Sequence, residues 1–240
     1  MYVINRKRIS LMVICLLLGI FAYSYQGSKM ELEQEVQETT ATPVSGKVIV
    51  VDAGHGIPDE GAESSSGTTE AETNLKIALK LQNILEQSGS TVILTRSDEN
   101  AIYDLDKNTL REKKISDIRN RVKIGNNSSA DIFVSIHLNK IPQQQYWGWQ
   151  CFYNSGNEKS MDLAKKIQSN LNDAIQKENK RVAMKLDTVY IMKHVEIPIS
   201  IVECGFLSNP EEEQQLLDDE YQDKLAWGIY NGITDYFNEN

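Results

Sequence analysis

Short runs of β-branched and apolar residues alternate with amphipathic stretches along most of the chain. The apolar runs predict strands at residues 47–52, 91–95, 132–136, 148–153, 188–192 and 199–203. Apolar residues at helical spacing predict helices at residues 70–87, 110–125, 159–177 and 221–237. Strands and helices in this order predict a single α/β domain whose largely parallel, twisted sheet is flanked by helices.

The N-terminal region has a different composition. Basic residues 6–8 precede an apolar run that ends near Tyr25, a pattern typical of an export signal. Residues 1–25 are therefore predicted to be a cleaved signal peptide or a retained signal anchor. The polar, acidic stretch 26–46 predicts a flexible linker. We expect the rest of the chain outside the cytoplasm, with membrane contact only through the N-terminal segment.

Composition narrows the class of protein. The chain has 240 residues, 40% of them hydrophobic, which is enough for one well-buried domain with extensions. Its net charge is −9 and no large lysine and arginine cluster is present, so nucleic acid is not expected as a partner. Three cysteines do not make a disulfide framework. Cys151 and Cys204, in apolar strand-like stretches, are predicted to be buried free thiols.

Two of the three histidines follow apolar, strand-forming runs. His55 lies in Val-Val-Asp-Ala-Gly-His-Gly (50–56), and His137 lies in Ile-Phe-Val-Ser-Ile-His-Leu-Asn (132–139). Parallel strands end at the same edge of a sheet, which is where α/β proteins place their sites. We therefore expect the two imidazoles to lie at one edge of the sheet.

Two acidic residues have comparable positions. Glu70 starts a predicted helix, and Glu203 ends the apolar run Ile-Ser-Ile-Val-Glu (199–203). Two imidazoles and a carboxylate suit a catalytic zinc that keeps one coordination position open, and a second carboxylate suits a general base. Each acid also has a simpler interpretation: Glu70 could stabilise the helix dipole, and Glu203 could pair with Arg96 or Arg121.

The same residues belong to four ordered motifs. These are Val-Asp-Ala-Gly-His-Gly (51–56), Glu-Ala-Glu-Thr-Asn-Leu (70–75), Ser-Ile-His-Leu-Asn (135–139) and Val-Glu-Cys-Gly-Phe-Leu-Ser-Asn (202–209). In this order they resemble the motifs of the zinc-dependent N-acetylmuramoyl-L-alanine amidases, the amidase-3 family. The resemblance covers residues 47–237.

The resemblance implies a role for each residue. His55, Glu70 and His137 would bind Zn²⁺, and Glu203 would be the catalytic acid and base. Glu72 is the rival of Glu70, but Glu70 lies four residues before Asn74, as the family's ligand does. Residues 47–240 would then be a catalytic domain that hydrolyses the amide between N-acetylmuramic acid and the L-alanine of peptidoglycan stem peptides. An activating protein partner at the membrane or wall is also in keeping with the family.

Within the family, the chain is similar to the short, sporulation-type enzymes. The stretch 110–123 and the aromatic C-terminal helix support this subgroup. The subgroup implies a role in forming muramic-δ-lactam in the spore cortex, a modification read during germination, and a location around the forespore. Three alternatives remain: a vegetative cell-wall amidase, a non-catalytic wall-binding scaffold, and a metallopeptidase.

Several other residues have two interpretations. His194 could line a substrate groove or lie in a surface loop. The aromatic cluster of Tyr146, Trp147 and Trp149 could stack on sugar or pack against the sheet. Arg96 and Arg121 could hold a substrate carboxylate or form internal ion pairs. The acidic run 211–213 is predicted to be a solvated helix start.

Overall fold

A computed structural model describes residues 17–27, 29 and 42–239. Residues 17–27 are helical and exposed, and they belong to a unit separate from the one that starts at Thr42. The basic residues of the predicted export segment and most of the predicted linker lie outside the described residues. In the described ranges, no helix combines the length and the apolar character needed to cross a membrane.

The unit from Thr42 onward is built on one sheet. Its strands, in chain order, are β1 (Val48–Ala53), β2 (Thr91–Leu94), β3 (Ile132–Asn139), β4 (Gln150–Tyr153), β5 (Met184–Lys185) and β6 (Ile199–Phe206). They lie in the order β2-β1-β3-β6-β4-β5. The β1–β2, β1–β3, β3–β6 and β4–β5 pairs are parallel, and β4 runs antiparallel to β6. The predicted α/β fold with a largely parallel sheet is confirmed.

Six helices accompany the sheet in residues 42–239. They are α1 (Glu70–Gln87), α2 (Leu110–Asn127), α3 (Glu158–Ile175), α4 (Tyr190–His194), α5 (Pro210–Leu217) and α6 (Asp219–Glu239). Their starts follow from local chemistry. The Thr69 side chain accepts a hydrogen bond from the Glu72 amide at the start of α1, and Thr109 with Glu112 forms a reciprocal capping box on α2.

Two local predictions differ from the structure. Residues 188–192 were expected to be a strand, and this is wrong, because residues 190–192 belong to the short helix α4. Ile191 and Met192 are buried, and a short apolar run does not distinguish a strand from a buried helix. Strands β3 and β6 also continue three residues beyond their predicted ends, so that His137 lies within β3 and Glu203 is no longer the last residue of β6.

The two faces of the sheet have different contents, because successive side chains on a strand point to opposite sides. One face, here called the core face, carries Val51, Ile136 and Val202 and packs against α1, α3 and α6 in a large apolar cluster. The opposite face, here called the site face, carries Phe133 and Ile201 and packs against α2 and α4 in a smaller apolar cluster.

The two described cysteines lie in the apolar cluster of the core face. Cys151 and Cys204 are free thiols with no exposed surface, as the sequence predicted. Burial raises the pKa of both thiols. Cys204 directly follows Glu203 on β6, so the alternation of the strand turns its side chain away from the site face. Cys204 is therefore neither a metal ligand nor a nucleophile of a site on that face.

Candidate metal centre

Strand register brings His137 and Glu203 together. They are paired residues in the parallel β3–β6 ladder, and the two strands also pair Ser135 with Ile201. Because side chains alternate along each strand, His137 and Glu203 both point to the site face. The carboxyl ends of the parallel strands β1, β3 and β6 meet at this edge of the sheet.

His55 reaches the same edge from the loop that follows β1. Its backbone is left-handed, with a φ of 63°, a conformation that a non-glycine residue adopts only where its surroundings fix it. Gly54, just before it, leaves room for His137, since a Cβ on Gly54 would lie 2.3 Å from His137 Cε1. The sequence Ala-Gly-His therefore turns the chain sharply while keeping the two imidazoles close.

Two buried arginines hold this turn. Arg96 Nε and Arg121 Nη1 donate to the carbonyl oxygen of Ala53 at 2.9 and 2.7 Å. Arg96 Nη2 also donates to Gly54 O at 3.0 Å, and Arg121 Nη2 donates to His55 O. Both guanidinium groups are thus engaged with the backbone that carries His55, which supports the internal interpretation of these arginines.

Asp52 balances the charge of Arg121. Its carboxylate is 1% exposed and accepts hydrogen bonds from Arg121, Thr95 and Ser135. Burial alone would raise the pKa of this carboxyl, but the guanidinium and the two hydroxyls outweigh burial and lower it. Arg121 also pairs with Asp117 through Nε at 2.8 Å. Arg121 is therefore paired with Asp52 and Asp117, and its contacts include none with Glu203.

Glu70, the first residue of α1, points into the site and is 5% exposed. Its Oε2 accepts the amide of Ala62 at 2.9 Å. Its Oε1 lies 2.9 Å from His137 Nδ1 and 3.4 Å from His55 Nε2.

The rival Glu72 is exposed and pairs with Lys76 at 2.7 Å. The structure therefore brings Glu70 to the two histidines and leaves Glu72 on the surface.

The three side chains fit a metal ion. One donor atom from each of His55, Glu70 and His137 lies within 4.8 Å of the other two. Zinc bond lengths imply that neighbouring ligand atoms in a tetrahedral site lie about 3.4 Å apart, close to the distances measured from Glu70 Oε1. Asp59 Oδ2 lies 3.5 Å from His55 Nδ1, an outer contact that orients Nε2 toward the cluster.

The ionisation of His55 and Glu70 also indicates that the cluster favours a positive charge. Burial opposes protonation of His55, but hydrogen bonds and charge from Asp59 and Glu70 prevail and raise its pKa to about 9. Burial opposes ionisation of Glu70, but His137 and His55 prevail and lower its pKa. The Glu70 and Asp59 carboxylates thus stabilise positive charge at His55. A metal ion bound at the cluster would compete with a proton for the imidazole nitrogen.

Glu203 lies beside the cluster with an unpaired oxygen. Its Oε2 is shielded from solvent and finds no hydrogen-bond partner among the described residues. Burial raises the pKa of Glu203 to about 7, although His137 acts in the opposite direction. A carboxyl group that titrates near neutral pH can both take and return a proton.

A cavity of about 230 Å³ opens next to these groups. Its polar lining comes from both histidines and Glu203 and from charged side chains around them: Asp52, Asp59, Lys114, Asp117 and Arg121. The rest of its wall includes apolar side chains from the site face, α2, and the segment leading into α4: Ile118, Leu186, Val189, Ile191 and Ile201. The sequence did not indicate this wall, because the apolar run 188–192 is typical of a strand but in the structure leads through Val189 into α4 beside the cavity.

Two of the residues with alternative interpretations lie away from the cluster. His194 is exposed, stacks on Tyr190 with ring centroids 3.8 Å apart, and does not line the cavity. Trp149 is fully buried, and its indole nitrogen donates to Asn172 at 2.8 Å, so it packs within the fold. The surface interpretation of His194 and the packing interpretation of Trp149 are the ones that the structure supports.

The predicted solvated helix start at residues 211–213 is wrong for two of its members. Glu212 is 1% exposed and accepts the amides of Gly148 and Phe206, both at 2.8 Å. Glu213 is 5% exposed and accepts from Ser65 and Ser66. An acidic run predicts solvent only when no nearby backbone amides or hydroxyls can satisfy its carboxylates.

Known proteins are similar to this chain in sequence and in fold. The family model described as N-acetylmuramoyl-L-alanine amidase matches residues 49–235. The germination-specific N-acetylmuramoyl-L-alanine amidase of Bacillus subtilis (strain 168) is 36% identical over 220 residues, which cover 92% of this chain and 90% of that protein.

Solved structures give the same result. The CwlD amidase of Clostridioides difficile, determined in complex with the GerS lipoprotein, matches with a TM-score of 0.79 and 43% identity, covering 81% of this chain and all of that one (100%). An N-acetylmuramoyl-L-alanine amidase of Clostridium difficile 630 matches with a TM-score of 0.72 and 30% identity, over 82% and 99% of the two chains. The chain therefore belongs to the N-acetylmuramoyl-L-alanine amidase family and is an amidase of that class.

Proposed function

We propose that this protein is a zinc-dependent hydrolase that cleaves the amide between N-acetylmuramic acid and L-alanine in peptidoglycan. His55, Glu70 and His137 would hold the zinc ion, and Glu203 would be the general base and acid. The observation that carries the proposal is the convergence of three donor atoms within 4.8 Å beside a carboxyl oxygen that has no partner among the described residues.

In the proposed hydrolysis, the metal and the protein side chains would have different tasks. A bound zinc ion would polarise the scissile carbonyl and lower the pKa of a water molecule. The Glu203 carboxylate takes a proton from the attacking water and returns it to the departing nitrogen of L-alanine. The shielded position of Glu203 Oε2 keeps bulk water from competing for the proton that Glu203 transfers.

The surrounding residues keep the ligands in position. Arg96 and Arg121 fix the backbone of the His55 turn, and Asp59 orients the imidazole of His55. The Leu138 amide donates to Glu70 Oε1 at 3.1 Å, which ties the carboxylate to β3. A site held by buried hydrogen bonds on a rigid sheet edge is organised before substrate binds.

The domain organisation is part of the proposal. Residues 1–25 would direct export as a signal peptide or signal anchor, residues 26–46 would form an acidic linker, and residues 47–240 would be the catalytic domain. An amidase acting on peptidoglycan works outside the cytoplasm, either secreted or attached to the membrane through its N-terminal segment.

The biological role that we propose for this amidase is in sporulation. The B. subtilis relative is named for germination, and the C. difficile CwlD amidase was solved with a lipoprotein. On that basis we propose that this enzyme prepares muramic acid for muramic-δ-lactam formation in the spore cortex, in the space around the forespore. We further propose that a membrane-attached protein activates or recruits it.

Purified peptidoglycan tests the activity. The zinc-loaded chain and a Glu203→Gln variant would be incubated with vegetative or cortex peptidoglycan, and mass spectrometry would record the products. Free peptides that begin with L-alanine, produced only with zinc and an intact Glu203, are the expected result. Peptides cut at an internal bond would favour a metallopeptidase. No products from either polymer with zinc bound would favour a scaffold or a requirement for the activating protein, and adding that protein separates the two. Equal rates on the two polymers would count against the cortex role.

A further inference from the structure

A second depression, distinct from the cavity beside the cluster, lies beyond β4. It has a volume of about 540 Å³ and is bordered by Gln145–Trp147 on one side and by Glu178–Arg181 on the other. Tyr146 is 46% exposed, and Trp147 is partly buried. We call this depression the β4 recess.

The β4 recess is connected to Glu203 through two contacts. Gln150 on β4 is the register partner of Glu203 on β6, and it points to the same face of the sheet. The Gln150 side-chain oxygen accepts a hydrogen bond from Arg181 Nη1 at 3.0 Å. Arg181, which borders the recess, is therefore two side chains away from the carboxyl group assigned as the base. The recess therefore lies next to the strand position that pairs with Glu203.

Internal hydrogen bonds hold the walls of the recess in place. Asn179 donates to the carbonyl of Trp149 at 2.9 Å and accepts the amide of Arg181 at 3.1 Å. Gly148 has a φ of 96°, and its amide donates to the buried Glu212 at 2.8 Å. The recess is thus organised before any ligand binds, which reduces the entropic cost of binding.

The surface of the recess combines aromatic rings with amide and charged groups. The Arg181 guanidinium lies 4.6 Å from the centre of the Phe206 ring and 6.0 Å from that of Tyr146. Lys177 Nζ lies 4.0 Å from the centre of the Trp147 ring. Amino sugars have apolar ring faces together with hydroxyl and acetamido groups, so their chemistry matches rings bordered by polar donors and acceptors.

The two depressions differ in the way that the two halves of the substrate differ. The cavity beside the cluster is the smaller and has the apolar wall of Leu186, Val189 and Ile191. The β4 recess is larger, and its lining combines two aromatic side chains with amide and charged groups. The scissile amide joins a sugar to a peptide, so each side of Glu203 would receive one half.

We propose that the β4 recess binds the glycan strand of peptidoglycan and places its muramic acid over Glu203. This inference rests on the proposed amidase function for the identity of the ligand. It assigns Tyr146 and Arg181 as glycan-binding residues, with Gln150 positioning Arg181.

The direct test is binding of glycan strands from which all stem peptides have been removed. These strands are not substrates, so isothermal titration with the full zinc-loaded chain measures the recess without turnover. Tyr146→Ala should weaken binding about 5- to 10-fold. Arg181→Lys keeps the charge but loses the forked donor, and should also weaken binding. Trp227→Ala is the matched control, because Trp227 is 50% exposed on α6 and should leave binding unchanged.

Kinetics on intact peptidoglycan provide a second readout. Tyr146→Ala should raise KM by the same factor as it weakens glycan binding, and kcat should stay within about twofold. Wild-type binding and KM in both Tyr146→Ala and Arg181→Lys would overturn the inference, as would a wild-type chain that does not bind the strands. Binding that depends on Tyr146 in a chain that releases no peptides would support the recess independently of the amidase function.

Discussion

The core face and the site face of one sheet show how the same strands serve two purposes. On the core face, apolar residues of β1, β3 and β6 pack against α1, α3 and α6 in a large apolar cluster. On the site face, the same strands place Asp52, His137 and Glu203 toward the edge where the parallel strands end. Alternation along each strand separates the two sets of side chains.

The comparison also shows where the fold tolerates groups that are costly to bury. Asp52 and Arg121 are almost fully buried on the site face, but they are paired and hydrogen-bonded. Glu203 Oε2 is shielded from solvent and has no partner among the residues that the structure describes. An unpaired oxygen next to three convergent metal donors is the part of this face that packing does not explain.

The largest expected effect separates two neighbours on β6. Glu203→Gln should lower the rate of amide hydrolysis about 10²- to 10⁴-fold, because it removes the group that moves the proton. Cys204→Ala, one residue later on the core face, should cost roughly 1 kcal/mol of unfolding free energy and leave kcat near wild type. Single-turnover kinetics and urea unfolding measure the two effects. Loss of hydrolysis in the cysteine variant would contradict the assignment of the faces.

The next effect distinguishes two acids on α1. Glu70→Gln should weaken zinc binding by more than about 100-fold, since the loss of an outer-shell partner alone costs about 10- to 100-fold. Glu72→Gln is the matched control and should bind zinc as the wild type does, because Glu72 is exposed and pairs with Lys76. Competition with a chromogenic chelator measures both affinities. Equal affinities in the two variants would remove Glu70 from the ligand set.

A third pair compares buried residues on the two faces. Arg121→Met should lower the unfolding free energy by about 3–5 kcal/mol, because it leaves Asp52 and Asp117 without their cation. Leu81→Ala in α1, the helix that packs against the core face, should cost about 2–5 kcal/mol by opening a cavity.

Zinc affinity then separates the two variants. Under conditions in which both remain folded, only the Arg121 variant should bind zinc more weakly, because Arg121 holds the backbone of the His55 turn. An Arg121 variant that is destabilised but binds zinc normally would show that the arginine contributes to folding alone.

The smallest expected effect is a pH dependence of the metal-free protein. The pKa of His55 is raised to about 9 in the fold, so its stabilising contribution is complete below about pH 6.5 and is lost as pH rises through 9. The loss should be on the order of 1–2 kcal/mol after screening by solvent. Zinc should abolish this dependence by displacing the proton, and His55→Gln should flatten it. Thermal unfolding at a series of pH values records the effect.

Much of this arrangement could be predicted from the sequence. The β-branched runs that contain or precede His55, His137 and Glu203 predicted buried strands ending at one edge, and the structure brings the three side chains together there. The buried free thiols Cys151 and Cys204 followed from the same apolar pattern. Local patterns were sufficient because strand alternation fixes which side chains share a face.

Other features depend on contacts between distant parts of the chain. The contact of His55 with Asp59 had a local signal, because Asp59 lies four residues later in a glycine-rich loop. The other contact of the His55 ring is with Glu70 on α1, which is distant in sequence.

Arg121 reaches the His55 turn from α2, and Glu212 is buried because Gly148 and Phe206 supply amides. No pattern of spacing predicts which polar groups find each other in this way.

The most direct test of the central claim is anomalous X-ray scattering at the zinc absorption edge from crystals of the zinc-loaded chain. We expect one strong peak in contact with His55 Nε2, Glu70 Oε1 and His137 Nδ1, with Glu203 close by and not bonded to it. A peak bonded to Glu203 or located elsewhere, or no peak in crystals of protein with zinc added in excess, would contradict the assignment of the metal centre and of the base.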